Sequence, residues 1–262
     1  MDLGLQGKAA VVTGGSDGIG RATARALAQA GVGVVICARG AQALDATATT
    51  LNAETGATII PVKADVAQPA QLQRVVETAV ERFGRLDALV NNAGTSRAGP
   101  FEQVTDEVWQ EDLDLKLFGA IRACRLALPH FRRAGGGSVV NVLNIGAKQP
   151  GPASVPTSVS RAAGMALTKS LSKEWAAHRV RVNAVMIGLV KSGQHERSWQ
   201  RQGSQGSLES YYENMARERG VPLGRVAQAE EAGDLIAFLC SPRAAYITGT
   251  AINFDGGLSA VV

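Results

Sequence analysis

A glycine-rich stretch near the start of the chain has the composition of a phosphate-binding turn. Residues 13–20 read TGGSDGIG, directly after an apolar run and before small and apolar residues at helical spacing. Glycines let the backbone turn tightly and bring its amides against a pyrophosphate, and a helix start adds unpaired N–H donors with partial positive charge. The alternative is an ordinary glycine-rich turn, but the strand–turn–helix context favours a dinucleotide site.

The elements that must hold this turn alternate between strand and helix. Short apolar runs predict strands, and longer stretches with apolar residues at helical spacing predict helices. The predicted strands are KAAVVTGG, VGVVICAR, ATIIPVKADV, LDALVNNAG, GGSVVNVLNIGA, VRVNAVMIG and GTAINFDGG. The predicted helices are GRATARALAQAG, AQALDATATTLNAET, PAQLQRVVETAVERFG, most of residues 104–133, residues 158–178 and AEEAGDLIAFLCS. We therefore expect one α/β domain over residues 1–262, with a doubly wound parallel sheet of about seven strands and helices on both faces.

Composition narrows the class of protein further. Of the 262 residues, 45% are hydrophobic and 19% are charged, which suits a well-packed core and argues against disorder. No apolar run reaches the roughly 18 residues that a membrane span requires, and the first residues do not resemble a secretory signal. We expect a cytoplasmic protein with no membrane partner.

Charge and cysteine content exclude two further classes of function. The net charge is +4, but the basic residues are dispersed, so we expect no nucleic-acid partner. Cys37, Cys124 and Cys240 are far apart in apolar contexts and are expected to be buried reduced thiols. Neither they nor the three histidines have metal-ligand spacing, so we expect no bound metal.

Several motifs together resemble the short-chain dehydrogenase/reductase family. TGGSDGIG is accompanied by Asp65 and Val66 after the third strand, NNAG at 91–94, VRVNAV at 180–185 and YITGTAINFDGG at 246–257. The resemblance extends over nearly the whole chain. It implies a single Rossmann-type domain, a nicotinamide cofactor, a small-molecule substrate and commonly a homotetramer.

The resemblance carries cofactor contacts over to individual positions. Each of these residues matches a family motif that lines the cofactor. Gly14, Ser16 and Ile19 match the pyrophosphate turn; Asp65 and Val66 flank the adenine; Asn92, Ala93 and Gly94 lie beside the ribose; and Gly188 and Ser192 lie near the carboxamide, although Ile187 stands where that motif has proline.

The end of the second strand predicts which nicotinamide cofactor binds. A carboxylate there would hydrogen-bond the ribose 2′-hydroxyl and select NAD, whereas the Arg39 of ICARG can clamp a 2′-phosphate. We therefore expect NADP(H). One feature argues against it: Asp17 lies in the glycine turn, where its carboxylate would either repel the phosphate or pair with Arg39.

The resemblance also implies a catalytic tyrosine, lysine, serine and asparagine, and the chain differs at all four positions. In PTSVSRAAG, residues 156–164, Thr157 stands at the tyrosine position and Arg161 at the lysine position. Asn144 stands where the serine is expected. Lys116, in DLDLKLFGA, stands where the asparagine is expected. The chain thus looks like an atypical member with a degenerate catalytic tetrad.

The chemistry of each replacement can be judged from its side chain. A threonine hydroxyl orients a carbonyl but is a far weaker acid than a phenol, whose pKa is about 10. Arg161 can bind ribose hydroxyls but stays cationic, and Asn144 can donate a hydrogen bond to a carbonyl. Lys116 is the best single candidate for the proton donor, provided that desolvation lowers its pKa. The other candidates for this role are Tyr211, Tyr212, His195 and Lys148.

Residues 191–225 are polar and contain scattered aromatic residues, and we expect them to form a partly helical lid over the substrate rather than a disordered insertion. Three functions stay open at this point. The first is an NADP(H)-dependent oxidoreductase that acts on a small carbonyl or alcohol with a non-standard proton donor. The second is a catalytically silent NADP(H)-binding regulator. The third is a subunit that pairs with an active relative through the helices near 105–130 and 158–178.

Overall fold

A parallel sheet of seven strands forms the centre of the molecule in a computed structural model that describes residues 2–204 and 206–262. Met1, in the predicted domain, and Gln205, in the predicted lid, lie outside the described residues. The strands are β1 (Ala9–Thr13), β2 (Gly33–Ala38), β3 (Ile59–Lys63), β4 (Ala88–Asn91), β5 (Gly137–Asn144), β6 (Val180–Ile187) and β7 (Ala251–Phe254). Their order in the sheet is β3-β2-β1-β4-β5-β6-β7.

Helices connect the strands and cover both faces of the sheet. They are α1 (Gly18–Gln29), α2 (Ala41–Thr55), α3 (Pro69–Phe83), α4 (Asp106–Leu113), α5 (Gly119–Ala134), α6 (Thr157–Glu174), α7 (Gly193–Arg201), α8 (Leu208–Glu218) and α9 (Ala229–Cys240). One apolar cluster packs α1, α2 and α9 against the sheet, and a second packs α3 and α5 against the opposite face. The predicted doubly wound α/β fold is therefore confirmed.

The apolar spacing of the helices explains which faces they bury. In α3 the buried residues are Leu72, Val75, Val76 and Ala79, which recur at the i, i+3, i+4 and i+7 positions of one helical stripe. Burying each of the larger side chains contributes about 1.5–3 kcal/mol. Several helices then end where glycine adopts a left-handed conformation, as Gly84 does after α3 with φ 73°.

The strand order reverses its direction between β1 and β4. From β1 the sheet grows outward through β2 to β3, and from β4 it grows the other way through β5 and β6 to β7. In open parallel sheets, ligands bind beyond the carboxyl ends of the strands at such a switch point. The fold therefore places the glycine-rich turn, which follows β1, at this position.

Three details of the helices bear on function. Between α4 and α5 the backbone forms a π-helical turn over Asp114–Phe118, a rare irregularity that is frequent at functional sites. The predicted lid contains α7 and α8, so its helical part is observed. In the described part of the chain, no helix has the length and apolar character needed to traverse a bilayer.

Candidate active site

A wide cleft of about 680 Å³ opens at the carboxyl ends of the strands. Its walls come from the segments that follow β1, β2, β3 and β4, from the end of β5, and from the segment that joins β6 to α7. The predicted cofactor positions that line it are Gly14, Ser16, Ile19, Arg39, Asp65, Val66, Asn92, Ala93, Gly94, Arg161, Gly188 and Ser192. Residues spread over most of the sequence thus meet in one cleft.

The glycine turn is packed so closely that side chains have no room at its centre. A Cβ at Gly20 would overlap the Gly14 carbonyl oxygen and lie 2.5 Å from Asn92 Nδ2. That amide nitrogen donates to the carbonyl oxygens of Thr13 (2.9 Å) and Gly14 (3.0 Å). Asn92 therefore fastens the turn to the end of β4. The turn is a rigid backbone cradle, which fits the pyrophosphate of a dinucleotide.

The surroundings of Asp17 and Arg39 show that these two residues beside the turn do not pair with each other. The Asp17 carboxylate caps α1 by accepting from Gly18 N at 2.7 Å, and it lies 3.8 Å from Arg197 Nη1 of α7. It therefore faces α7 rather than Arg39. Arg39 is exposed on the cleft wall and, among the described residues, has no ion pair or hydrogen bond. The cation at the end of β2 is free to bind an anionic group.

Thr157 lies at the start of α6 with its hydroxyl held in a defined direction. The side chain is 5% exposed and lines the cleft. Its Oγ1 accepts hydrogen bonds from Lys116 Nζ at 3.0 Å and from Arg97 N at 3.1 Å. A hydroxyl has two acceptor lone pairs and one donor. Since both lone pairs are used, the O–H hydrogen is the group that Thr157 can offer to a ligand.

Lys116 lies in the π-helical turn behind Thr157. Its side chain is only 4% exposed and lines an enclosed cavity of about 20 Å³, not the wide cleft. Burial lowers the pKa of the Lys116 ammonium to about 8, with further lowering by the Arg161 and Arg97 charges, against the raising effect of Asp112. The Lys116 ammonium therefore stays mostly protonated at pH 7 and loses its proton at slightly higher pH. It is hydrogen-bonded to Thr157, which lines the cleft.

Asp112 and Ser160 complete this polar cluster, and the sequence analysis did not identify either of them. Asp112 is 1% exposed and pairs through Oδ1 with Lys116 Nζ, one helical turn away. Its Oδ2 accepts from Ser160 Oγ of α6 at 2.6 Å. The i, i+4 spacing of Asp112 and Lys116 was a signal in the sequence for this pair.

Arg161 and Asn144 both line the cleft. Burial lowers the pKa of the Arg161 guanidinium to about 10, so it stays cationic at neutral pH. Its Nη1 donates to the Val142 carbonyl oxygen at 3.0 Å. Asn144 ends β5, and its buried Oδ1 has no hydrogen-bond partner among the described residues. Asn144 lines the cleft, and its amide group carries an N–H donor that a bound substrate could use.

The other four candidates for the proton donor lie in different surroundings from Lys116. His195 lines the cleft, and burial lowers its pKa, so the imidazole is neutral near pH 7. Tyr212 is buried in α8, which is part of the predicted lid, and Tyr211 packs on it at 5.7 Å between ring centroids. Lys148 Nζ donates at 2.7 Å to the Ala251 carbonyl oxygen of β7. Of the five candidates, Lys116 is the one bonded to a hydroxyl on the cleft wall.

Metal chemistry finds no support in the described residues, where no group of histidine, cysteine and carboxylate side chains could hold a metal ion. The three cysteines, Cys37, Cys124 and Cys240, are buried free thiols, as the sequence predicted. Burial raises the pKa of each thiol to about 12, so none is a nucleophile at neutral pH.

Comparison with known proteins agrees with this architecture. Residues 14–259 match the family model described as enoyl-(acyl carrier protein) reductase. The human dehydrogenase/reductase SDR family member 4 is 35% identical over 254 residues, which are 97% of this chain and 88% of that protein.

Two solved structures share the fold over nearly the full length. L-sorbose reductase from Gluconobacter frateurii, complexed with NADPH and L-sorbose, is 34% identical with a TM-score of 0.94 and 100% coverage of both chains. An NADPH-bound short-chain oxidoreductase from Pseudomonas aeruginosa PAO1 that contains an atypical catalytic center is 39% identical, with a TM-score of 0.91 and coverage of 97% of this chain and 98% of that one. Together with the family model and the relatives, these similarities show that the chain belongs to the short-chain dehydrogenase/reductase family of oxidoreductases.

Proposed function

We propose that the chain is an NADP(H)-dependent oxidoreductase that interconverts a small carbonyl compound and its alcohol, with Lys116 as the proton donor acting through Thr157. The observation that carries the proposal is the 3.0 Å hydrogen bond from Lys116 Nζ to the hydroxyl oxygen of Thr157, a residue that lines the cleft. The proposal rests on the residue positions of this chain, and two similar structures with bound NADPH support the choice of cofactor.

The residues around the cleft fit a bound NADP(H). The backbone cradle of residues 13–20 and the start of α1 would hold the pyrophosphate, and the free Arg39 cation would hold the 2′-phosphate. Arg161 would contact the nicotinamide ribose, as the family resemblance implies. When bound, the cofactor supplies or accepts the hydride.

The chain's own residues then manage the proton. Asn144 Nδ2 and the Thr157 hydroxyl orient the substrate oxygen by donating hydrogen bonds to it. As negative charge develops on that oxygen, Thr157 Oγ1 gives up its hydrogen and takes a proton from Lys116 Nζ. The O–H bond of Thr157 is broken and re-formed, and Lys116 ends as the neutral amine. Threonine thus carries the proton without having to be an acid itself.

We propose that residues 191–225 cover the substrate as a lid. Gly193, at the start of α7, is buried against Asp17, where a Cβ would collide with the carboxylate. Gln194, His195 and Arg197 line the cleft from this side. The lid therefore contacts the cofactor turn directly, which ties substrate coverage to the cofactor site.

We also propose a homo-oligomer, a tetramer by the family resemblance, in the cytoplasm. Phe118, next to α5, and Val159 of α6 are 40% and 45% exposed. They lie on the two regions that the resemblance assigns to subunit contacts. Analytical ultracentrifugation of the purified chain is expected to give a tetramer or dimer, and a monomer at micromolar concentration would contradict the assignment.

The proposed function is tested by NADPH oxidation over a panel of small ketones and aldehydes, with Thr157→Val as the informative variant. We expect Thr157→Val to bind NADPH like the wild type but to reduce carbonyls about 10²–10⁴ times more slowly, the usual contribution of general acid catalysis. Thr50→Val is the matched control, because Thr50 is exposed on α2, does not line the cleft, and its hydroxyl donates to the Ala46 carbonyl oxygen of the same helix.

Two outcomes would contradict the proposal. Full activity of Thr157→Val would mean that the proton arrives by another route. Tight NADPH binding by the wild type without turnover on any carbonyl would favour the silent regulatory or partner-subunit protein that the sequence analysis left open.

A further inference from the structure

Asp112, next to Lys116, uses both of its carboxylate oxygens to hold neighbouring polar groups. Asp112 is buried within α4, where an unpaired carboxylate would be costly. One of its oxygens bonds to Lys116 in the turn that follows, and the other bonds to Ser160 in the first turn of α6. The carboxylate therefore links the lysine to the helix that carries Thr157.

We propose that Asp112 is a positioning residue, whose carboxylate holds the Lys116 ammonium against the Thr157 hydroxyl and keeps it protonated at neutral pH. The inference rests on the proposed function, because it assigns a role within the same proton path. Asp112 does not line the cleft and so does not touch the substrate or cofactor; it acts through Lys116.

The charges around Lys116 explain why its protonation depends on Asp112. The charged groups that act on it in the described residues are Asp112 from α4, Arg161 from α6 and Arg97 from the loop after β4. Two of the three are cations, which favour the neutral amine, as does burial of the side chain. Asp112 is the negative charge that opposes them.

The direction of the lysine side chain depends on the same contact. Lys116 has a flexible four-carbon stem and would otherwise have several rotamers open to it. With Nζ bonded to Asp112 on one side and to Thr157 Oγ1 at 3.0 Å on the other, the ammonium bridges two fixed groups. Ser160 Oγ also lies 3.2 Å from the Thr157 carbonyl oxygen, and it fixes the Asp112 carboxylate relative to the start of α6.

The test compares the titration of Lys116 in the wild type and in Asp112→Asn. Uniform labelling of lysine Cε with ¹³C reports each lysine by NMR, and the Lys116 signal is assigned by its loss in Lys116→Met. We expect the Lys116 midpoint to fall by about 1–3 pH units in Asp112→Asn, the usual effect of removing an adjacent opposite charge. The pH above which the rate of carbonyl reduction falls is expected to decrease by the same amount. The NADPH affinity is expected to stay within about twofold of the wild type, because Asp112 is outside the cleft.

Two further variants separate charge from structure. Asp114→Asn is the matched control, because Asp114 lies two residues on and pairs with Arg122 rather than with the site; its Lys116 midpoint is expected to match the wild type. Ser160→Ala keeps the carboxylate charge while removing its second hydrogen bond, and is expected to leave the midpoint close to the wild-type value.

An unchanged Lys116 midpoint in Asp112→Asn, or an equal loss of rate at every pH, would overturn the assignment and leave Asp112 a purely structural residue. If Asp112→Asn does not fold, Asp112→Glu keeps the charge but moves it by one methylene. It is expected to lower reduction at least about tenfold, and wild-type reduction in that variant would overturn the positioning role. A lowered midpoint in a chain that reduces no carbonyl would uphold the role of Asp112 and refute the proposed function instead.

Discussion

Replacement of Lys116 by methionine removes the proposed acid while keeping the length of its apolar stem. In the structure the Lys116 ammonium is bonded to Thr157 Oγ1 at 3.0 Å, and no other candidate donor is bonded to that hydroxyl in the described residues. The loss of a general acid lowers rates by about 10²–10⁴, which corresponds to roughly 3–5 kcal/mol of barrier. We expect a decrease of that size in kcat for carbonyl reduction by Lys116→Met.

The pH dependence of the reduction rate is expected to differ between the wild type and Lys116→Met. Reduction uses the ammonium form, and the pKa of Lys116 is lowered to about 8. The wild-type rate is therefore expected to be level below pH 8 and to fall about tenfold for each pH unit well above it. The residual activity of Lys116→Met is expected to lack this fall.

The assay is the steady-state oxidation of NADPH with one reducible ketone across the pH range, together with the NADPH dissociation constant of each variant. Lys116→Arg is the companion variant, because it leaves a cation beside Asp112 but holds its proton; it is expected to be as slow as Lys116→Met. Lys173→Met, an exposed change on α6, is the control. An alkaline limb near pH 8 that persists in both Lys116 variants would refute the reasoning.

Three further predictions follow from the same geometry. Alcohol oxidation needs Lys116 as the neutral amine, so its rate is expected to rise as the pH increases through about 8, opposite to reduction, and a parallel fall of both rates would count against the assignment. Arg39→Ala is expected to weaken NADPH binding about 10- to 150-fold, the value of a hydrogen-bonded charge, and to leave NADH binding unchanged in calorimetry; equal losses for both would remove the 2′-phosphate from its role. Gly20→Ala is expected to abolish measurable NADPH binding because its Cβ would overlap the Gly14 carbonyl oxygen, whereas Gly151→Ala, outside the cleft and with open space around it, is expected to bind normally.

The fold could be predicted from the sequence because each element carries its own local signal. The run AAVVT is fully buried in β1, and the apolar stripe of α3 is visible in its spacing. The glycine turn could be located for the same reason, since its residues are contiguous. Local patterns suffice wherever neighbours in sequence are also neighbours in space.

Contacts between distant segments were the part that sequence could not supply. The sequence left open whether Asp17 pairs with Arg39; in the structure it lies 3.8 Å from Arg197 instead, because the path of α7 decides which cation reaches it. Asp112 was overlooked because its second partner, Ser160, lies 48 positions away in a different helix. A pairing of this kind depends on how α4 packs against α6, which no periodicity records.

The burial of Lys116 was likewise beyond the sequence. The sequence favoured Lys116 as the best candidate donor. It could not show that the side chain lies behind Thr157 rather than in the cleft. In the proposed mechanism, that arrangement lets the threonine, itself a poor acid, carry the lysine's proton. The role of each residue follows from the other, and only the packed structure brings them together.

A crystal structure with NADPH and an unreactive substrate analogue in the cleft tests the account most directly. The account predicts that the Thr157 hydroxyl lies within about 3 Å of the analogue oxygen next to nicotinamide C4, with Lys116 Nζ still bonded to Thr157 Oγ1. A different titratable group at that distance, such as His195, or a cofactor bound away from the glycine turn, would contradict it.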